Sequence, residues 1–224
     1  HACAILKEDF PVEWSELCAV ISGFRLRKSW IAVAGGRKSK VAESFDHALG
    51  AWGWKEKSFD TQVVVDQQSH DSPTHKVDCF KNRVALEIEW NNKDPFFDRD
   101  LNNFRLLFDL RVVSVGIIIT RCDELQDIFD RLGRGSSYGS STTHMSKLLP
   151  RIHGGGGGGC PLLVLGIKKI PLRGGLRACK KRLTISGQAF TANSGRSWPI
   201  RPGNFKTGPA KWRRNTSACR ATRR

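Results

Sequence analysis

The sequence predicts an α/β fold with a central mixed sheet flanked by helices, and three neighbouring runs carry that prediction. From Arg83 to Trp90, apolar residues alternate with Glu87 and Glu89, the period of a strand with two unlike faces. From Asp98, the residues Leu101, Phe104, Leu107 and Phe108 recur at helical spacing, with Asp98 or Asp100 favourable at the N-terminal end. Val112 to Thr120 is then an almost unbroken apolar run, as expected of a central strand covered on both sides.

Ahead of these runs the chain reads as a helical support. Pro11 suits a first turn, and Val12, Leu17, Val20, Ile21 and Phe24 form one stripe. Val41, Phe45, Leu49 and Trp52 form a second. Between the stripes, Arg25, Arg27, Lys28, Arg37, Lys38 and Lys40 gather around a Gly-Gly turn, a basic loop that suits either a DNA backbone or plain solvent. Phe59 to Asp66 reads as a strand, followed by the polar turn QQSHDSP.

His75 to Phe80 is a shorter strand, and Lys81-Asn82 is a tight connection to the run beginning at Arg83. Residues two apart on a strand share a face, so Glu87 and Glu89 point the same way and Asp78 can lie across from either. Three carboxylates on a half-buried surface repel one another and lose solvation, and a cation relieves both costs. Oxygen-only ligation favours Mg2+ or Mn2+ over zinc. By itself, the same pattern also fits the solvent face of an edge strand.

Asn91, Asn92 and Lys93 follow the acids directly and offer donors of the kind that bind phosphate or read base edges. Lys93 suits a solvated loop equally. Further on, GRGSSYGSSTTHMSKLLPRIHGGGGGGC places small hydroxyl residues in a glycine-rich loop. Ser140, Ser141, Thr142 and His144 are candidates for base contacts and Lys147 for phosphate. A flexible linker in which Thr142 or Thr143 caps the helix ending near Pro150 is the alternative. The six glycines at 154–159 are no phosphate-binding loop, because no Gly-Lys-Ser/Thr follows, and they lead into another buried strand, Pro161 to Ile167.

Acidic hairpin, helix, buried strand and helix is the core order of the PD-(D/E)xK nuclease fold. VDCFKNRVALEIEWNNKDPF, GIIITR and STTHMSKLLPRIHGGGGGGCPLLVLGI together resemble the BglII-type restriction endonucleases, the group that includes BstYI-like enzymes, over about residues 1–170. The resemblance matches Asp78 to the first metal-binding aspartate and Glu87 to the second acid. Glu89 stands where many relatives in the wider superfamily have lysine and BamHI-like members have glutamate. What it implies is Mg2+-dependent hydrolysis of double-stranded DNA at a short palindrome by a homodimer. In that scheme Asp78, Glu87 and the carbonyl of Ile88 hold the metal, and Glu89 orients or deprotonates water. Glu43 is a possible fourth acid, with a solvent-facing helix glutamate as the default. A noncatalytic DNA-binding protein on a nuclease scaffold is the alternative, and a repair or junction nuclease a third.

The net charge of +16 is uneven. Residues 171–224 hold 14 Lys and Arg and no acid, which leaves 23 basic against 21 acidic groups in residues 1–170. The sequence thus divides into a nuclease domain, 1–170, and a basic tail, 171–224, whose aperiodic composition reads as disordered. A nucleic-acid-binding arm, a passive tail and translation past a frameshift all fit it, and a first residue of His1 agrees with a fragmentary frame. Seven scattered cysteines without a C-x-x-C pair exclude a zinc ribbon and suit reduced thiols in the cytoplasm. Cys79 and Cys160 read as small core residues. No apolar run is long enough to span a bilayer and no signal peptide is visible.

Overall fold

A computed structural model describes residues 1–32, 38–72 and 74–169, together with the backbone of two later strands. The chain begins with three short helices, α1 (Ala2–Glu8), α2 (Pro11–Gly23) and α3 (Lys28–Ala32), followed by α4 (Lys40–Gly50). Ser39 starts α4, its hydroxyl accepting from the Ala42 N–H at 3.1 Å, which satisfies a donor the helix itself cannot. Next come β1 (Lys55–Lys57), a ribbon of β2 (Gln62–Val65) and β3 (Gln68–Asp71), and the acidic hairpin β4 (Val77–Lys81) and β5 (Val84–Glu89). Helix α5 (Phe96–Asp109) crosses to β6 (Val115–Arg121). Helices α6 (Gln126–Arg131) and α7 (Met145–His153) then lead to β7 (Leu162–Lys169).

The main sheet has the order β1-β4-β5-β6-β7, with β5, β6 and β7 parallel and the outer pairings antiparallel. Backbone strands β8 (Leu183–Thr191) and β9 (Ser194–Pro199) continue it antiparallel. Apart from these two strands, the tail expected to lack regular structure lies outside the described residues, as does Arg37 of the basic loop.

Each face of the sheet has its own core. Leu86, Ile88, Trp90, Ile117 and Leu165 pack with the N-terminal helices, while Ala85, Ile118 and Val164 pack with Phe97, Leu101, Phe104 and Leu107 of α5 and Leu148 of α7. Helices on both faces explain why β6 is buried along its whole length. Gly116 lets α5 approach the sheet, since a Cβ there would lie 2.8 Å from both Phe104 Cδ2 and Leu162 Cδ2. Gly116→Ala is expected to destabilise the fold by about 1–3 kcal/mol through overpacking. That corresponds to a fall in Tm of roughly 2–12 °C, readable by calorimetry.

The glycine run is also packed. Gly158 has φ +56°, and an added Cβ would meet Arg105 Cγ of α5 at 2.4 Å. Side-chain-free turns thus let the end of α7 lie close against α5 before the chain enters β7.

Several elements depart from the sequence expectation. Helix α1, helix α3 within the basic loop and strand β1 carry no periodicity long enough to stand out. The polar turn QQSHDSP contains β3, which pairs with β2 as a separate ribbon off the main sheet. Val12 and Trp52, assigned to apolar stripes, are exposed, because α2 turns Val12 outward and α4 ends at Gly50 before Trp52. Trp54 is buried instead, its Nε1 donating to Glu16 Oε2 at 2.8 Å. Pro150 lies inside α7 rather than at its end, and His144 occupies the N-cap position without a side-chain cap.

Candidate active site

The carboxyl ends of parallel strands are where open α/β sheets place their ligand sites. Here β5 ends on Glu89 and β6 on Arg121, and the segments that follow them converge. Lys93 forms a β-bridge with Thr142, Thr143 donates its N–H to the Asn92 carbonyl at 2.9 Å, and Asp94 donates to the Ser141 carbonyl at 3.0 Å. The two loops singled out for DNA contacts are therefore one surface, built beside the acids.

Strand alternation puts Glu87 and Glu89 on the α5 face, 1% and 2% exposed. The register Cys79↔Leu86 brings Asp78 beside Glu87. Ile88 donates its N–H to Asp78 Oδ2 at 2.9 Å, and Asp78 donates its own N–H to Glu87 Oε2 at 3.4 Å. Glu87 Oε1 is buried without a partner. Glu89 turns elsewhere: Asn92 Nδ2 donates to Oε2 at 2.9 Å and Arg99 Nη2 lies 3.5 Å from Oε1.

A fourth acid completes this arrangement. Asp100 is fully buried on α5 and accepts two bonds from Arg99, Nε at 3.0 Å and Nη2 at 2.8 Å. The sequence reading had placed Asp100 only as a charge favourable to a helix N-terminus. Its spacing one residue before Leu101 was the available signal, since it sits at the edge of the buried stripe.

Crowding shapes the electrostatics. Burial pushes the Glu87 carboxyl well above its ordinary range, and the charges of Asp100, Asp78 and Glu89 push the same way. Burial, then the charge of Asp100, raises Glu89 to about 9, with Asn92 and Arg99 pulling the other way. Burial raises Asp100 against the opposing pull of Arg99. Asp78 is raised by burial, partly offset by the Ile88 N–H and Lys38.

Arg99 and Lys38 offset only part of this negative charge. Among the described residues no three His, Cys, Asp or Glu side chains are grouped as a metal cage. The donor chemistry nonetheless fits a hard divalent ion, which commonly takes one or two carboxylates and fills its other positions with water and substrate phosphate. Asp78 and Glu87 offer two such carboxylates side by side, and Glu87 Oε1 is buried without a hydrogen-bond partner.

The remaining candidates fall into two groups. Ser140 and Ser141 are exposed at the turn, as are Asn92 and Lys93, while Asn91 is half-buried and donates to the Ser137 carbonyl at 3.0 Å. Thr142 and His144 are buried and bonded internally. The Thr142 hydroxyl donates to the Gly139 carbonyl at 2.8 Å, and His144 Nδ1 meets Asp123 Oδ1 at 2.6 Å and Ser146 Oγ at 3.0 Å. Lys147 is half-buried, 3.9 Å from Asp94 Oδ2, which also receives Arg151 Nη2 at 3.3 Å. Glu43 lies away from the acids and pairs with Lys40 at 2.6 Å. The α4 acid nearest Asp78 in effect is Asp46, which pairs with Lys38 and accepts from Cys79 Sγ at 3.6 Å.

No helix among the described residues is long and apolar enough to cross a membrane. No curated protein matches the chain. The family model described as "Restriction endonuclease BglII/BglIII" matches residues 1–167, a span that holds the acidic hairpin, both converging loops and all the parallel strands but the last two residues of β7. By that match the chain belongs to the BglII/BglIII restriction endonuclease family, whose activity is site-specific cleavage of DNA.

Proposed function

We propose that this restriction endonuclease hydrolyses phosphodiesters of a short palindromic duplex with Mg2+, acting in the cytoplasm as a homodimer whose twofold axis matches that of its site. The observation that carries this reading is the union of the acidic pair and the two polar loops at the ends of β5 and β6. Asp78 and Glu87, with the carbonyl of Ile88, would hold the metal. When bound, Mg2+ supplies positive charge for the phosphate and acidity for water.

The chain's own residues do the rest. Glu89, once its proton has left, takes a proton from the attacking water, and Asn92 fixes its carboxyl through Oε2. Lys93 and Lys147 balance phosphate charge, while Asn91, Asn92, Ser140 and Ser141 form the reading surface, with Thr142 and His144 bonded internally beneath it. Residues 1–170 make up the cleaving unit. The basic residues of 171–224 add sequence-independent affinity for polyanions that falls steeply with salt.

Incubating the full chain with plasmid DNA and Mg2+, and mapping the cut ends by sequencing, tests this reading. Discrete fragments that share a palindromic motif are expected. Retarded but intact DNA would contradict it and identify a binder instead.

A further inference from the structure

Arg121, the last residue of β6, is among the largest fully buried side chains, 2% exposed. It reaches beneath the turn that bears Ser140 and Ser141. Its Nη2 donates to the Tyr138 carbonyl and to Thr142 Oγ1, each at 2.8 Å. The guanidinium lies 5.3 Å from the Phe129 ring centre and 5.8 Å from that of Tyr138, two rings stacked at 4.0 Å and met edge-on by Trp90. Among the described residues no carboxylate comes within 4.0 Å of it. Desolvation pulls its pKa down to about 10, so it stays charged at neutral pH.

Burying a charge with no carboxylate in direct contact is costly even though Asp123 acts on it from further off, and an apolar side chain of similar volume would serve the core better. What the guanidinium supplies is geometry. One nitrogen joined to two acceptors four residues apart closes 138–142 into a fixed loop, and the Thr142 hydroxyl tightens it further onto Gly139. The opposite flank of this loop is zipped to Asn92 and Asp94, and Asn92 grips Glu89.

We propose that Arg121 is a positioning residue for sequence discrimination. It sets the height and shape of the 138–142 turn so that the exposed Ser140 and Ser141 meet base edges, with Thr142 acting from inside as the bracket rather than as a base contact. This rests on the reading of that turn as part of the DNA surface.

The test uses the full chain and the motif obtained from mapped plasmid ends, comparing kcat/KM on the motif with that on single-base variants. Arg121→Met is expected to reduce this ratio by about tenfold or more, on the scale of one mispaired contact. Because that variant removes a buried charge and its folding is in question, Thr142→Val takes away one acceptor alone and is expected to reduce the ratio likewise. Thr142→Ser, which keeps the hydroxyl, is expected to restore it. Wild-type ratios in Thr142→Val, with or without a lowered Tm, would overturn the proposal. Equal loss in Thr142→Val and Thr142→Ser would overturn it as well, by placing the Thr142 methyl on a base. Failure of the wild type to yield any motif would instead remove the reading beneath it.

Discussion

Asp78→Ala and Glu87→Ala are expected to bind DNA and leave it uncut. Both side chains lie at the end of the β4–β5 hairpin, Asp78 accepting from the Ile88 N–H and Glu87 from the Asp78 N–H. Neither is required to shape the loops, whose contacts run through Asn92, Asp94, Thr142 and Thr143. Losing one carboxylate removes half of the two-ligand set that a magnesium ion uses, so cleavage should drop to background. Affinity for DNA is held by basic and polar groups elsewhere, and removing negative charge beside a phosphate does not weaken it. Gel retardation together with plasmid cleavage separates the two effects. Undiminished cutting by either variant would refute the metal-site assignment.

Glu89→Gln is expected to move activity and stability in opposite directions. The amide keeps the volume of the glutamate but cannot accept a proton, so kcat should fall by about 10²–10⁴-fold with little change in KM. Stability follows from linkage. The folded protein holds the Glu89 proton up to about pH 9, whereas the unfolded chain releases it near the ordinary 4.5. Between these values the folded state binds more protons, so the contribution of Glu89 is fully present below the unfolded pKa and is lost as pH rises towards 9. Glutamine has no proton to lose. The variant should therefore show a flatter decline of Tm with pH in metal-free buffer and should be the more stable protein at pH 8. A steeper decline in the variant would contradict the proton assignment. Glu89→Lys puts the mechanism under further pressure, because an ammonium group cannot take a proton from water as a carboxylate can. Retained activity would rule out a carboxylate base at this position.

Much of this site was legible because strand alternation is a local property. Val84, Leu86, Ile88 and Trp90 went to one face and Glu87 and Glu89 to the other, as two-residue periodicity demands. The α5 stripe of Leu101, Phe104 and Leu107 and the burial of β6 followed from equally local patterns. Asp100 was less legible: its place beside Leu101 marks it at the edge of the buried stripe, but its closeness to Glu89 arises only where α5 is laid against β5. On α4 the stripe Val41, Phe45 and Leu49 already placed Asp46, next to Phe45, at the border of the buried face and Glu43 on the opposite side, so helix phase could have separated them.

Loop chemistry was partly legible for a different reason. Composition marked Ser140, Ser141, Thr142 and His144 together as hydroxyl- and imidazole-bearing residues in a glycine-rich segment. Composition does not say which of them face inward. Arg121 and Asp123 decide that, by claiming Thr142 and His144, and both arrive from the end of β6. Strand β2 falls within the predicted Phe59–Asp66 strand, but β3 was missed because its four residues, exposed throughout, lack the buried face on which strand patterns depend.

Calorimetric titration of Mg2+ into the protein bound to a duplex of the mapped motif, with a non-hydrolysable linkage at the cut position, is the most direct trial of the acidic site. Saturable uptake by the wild type that disappears in Asp78→Ala and Glu87→Ala is the predicted result. No uptake by the wild type, or uptake unchanged in both variants, would contradict it.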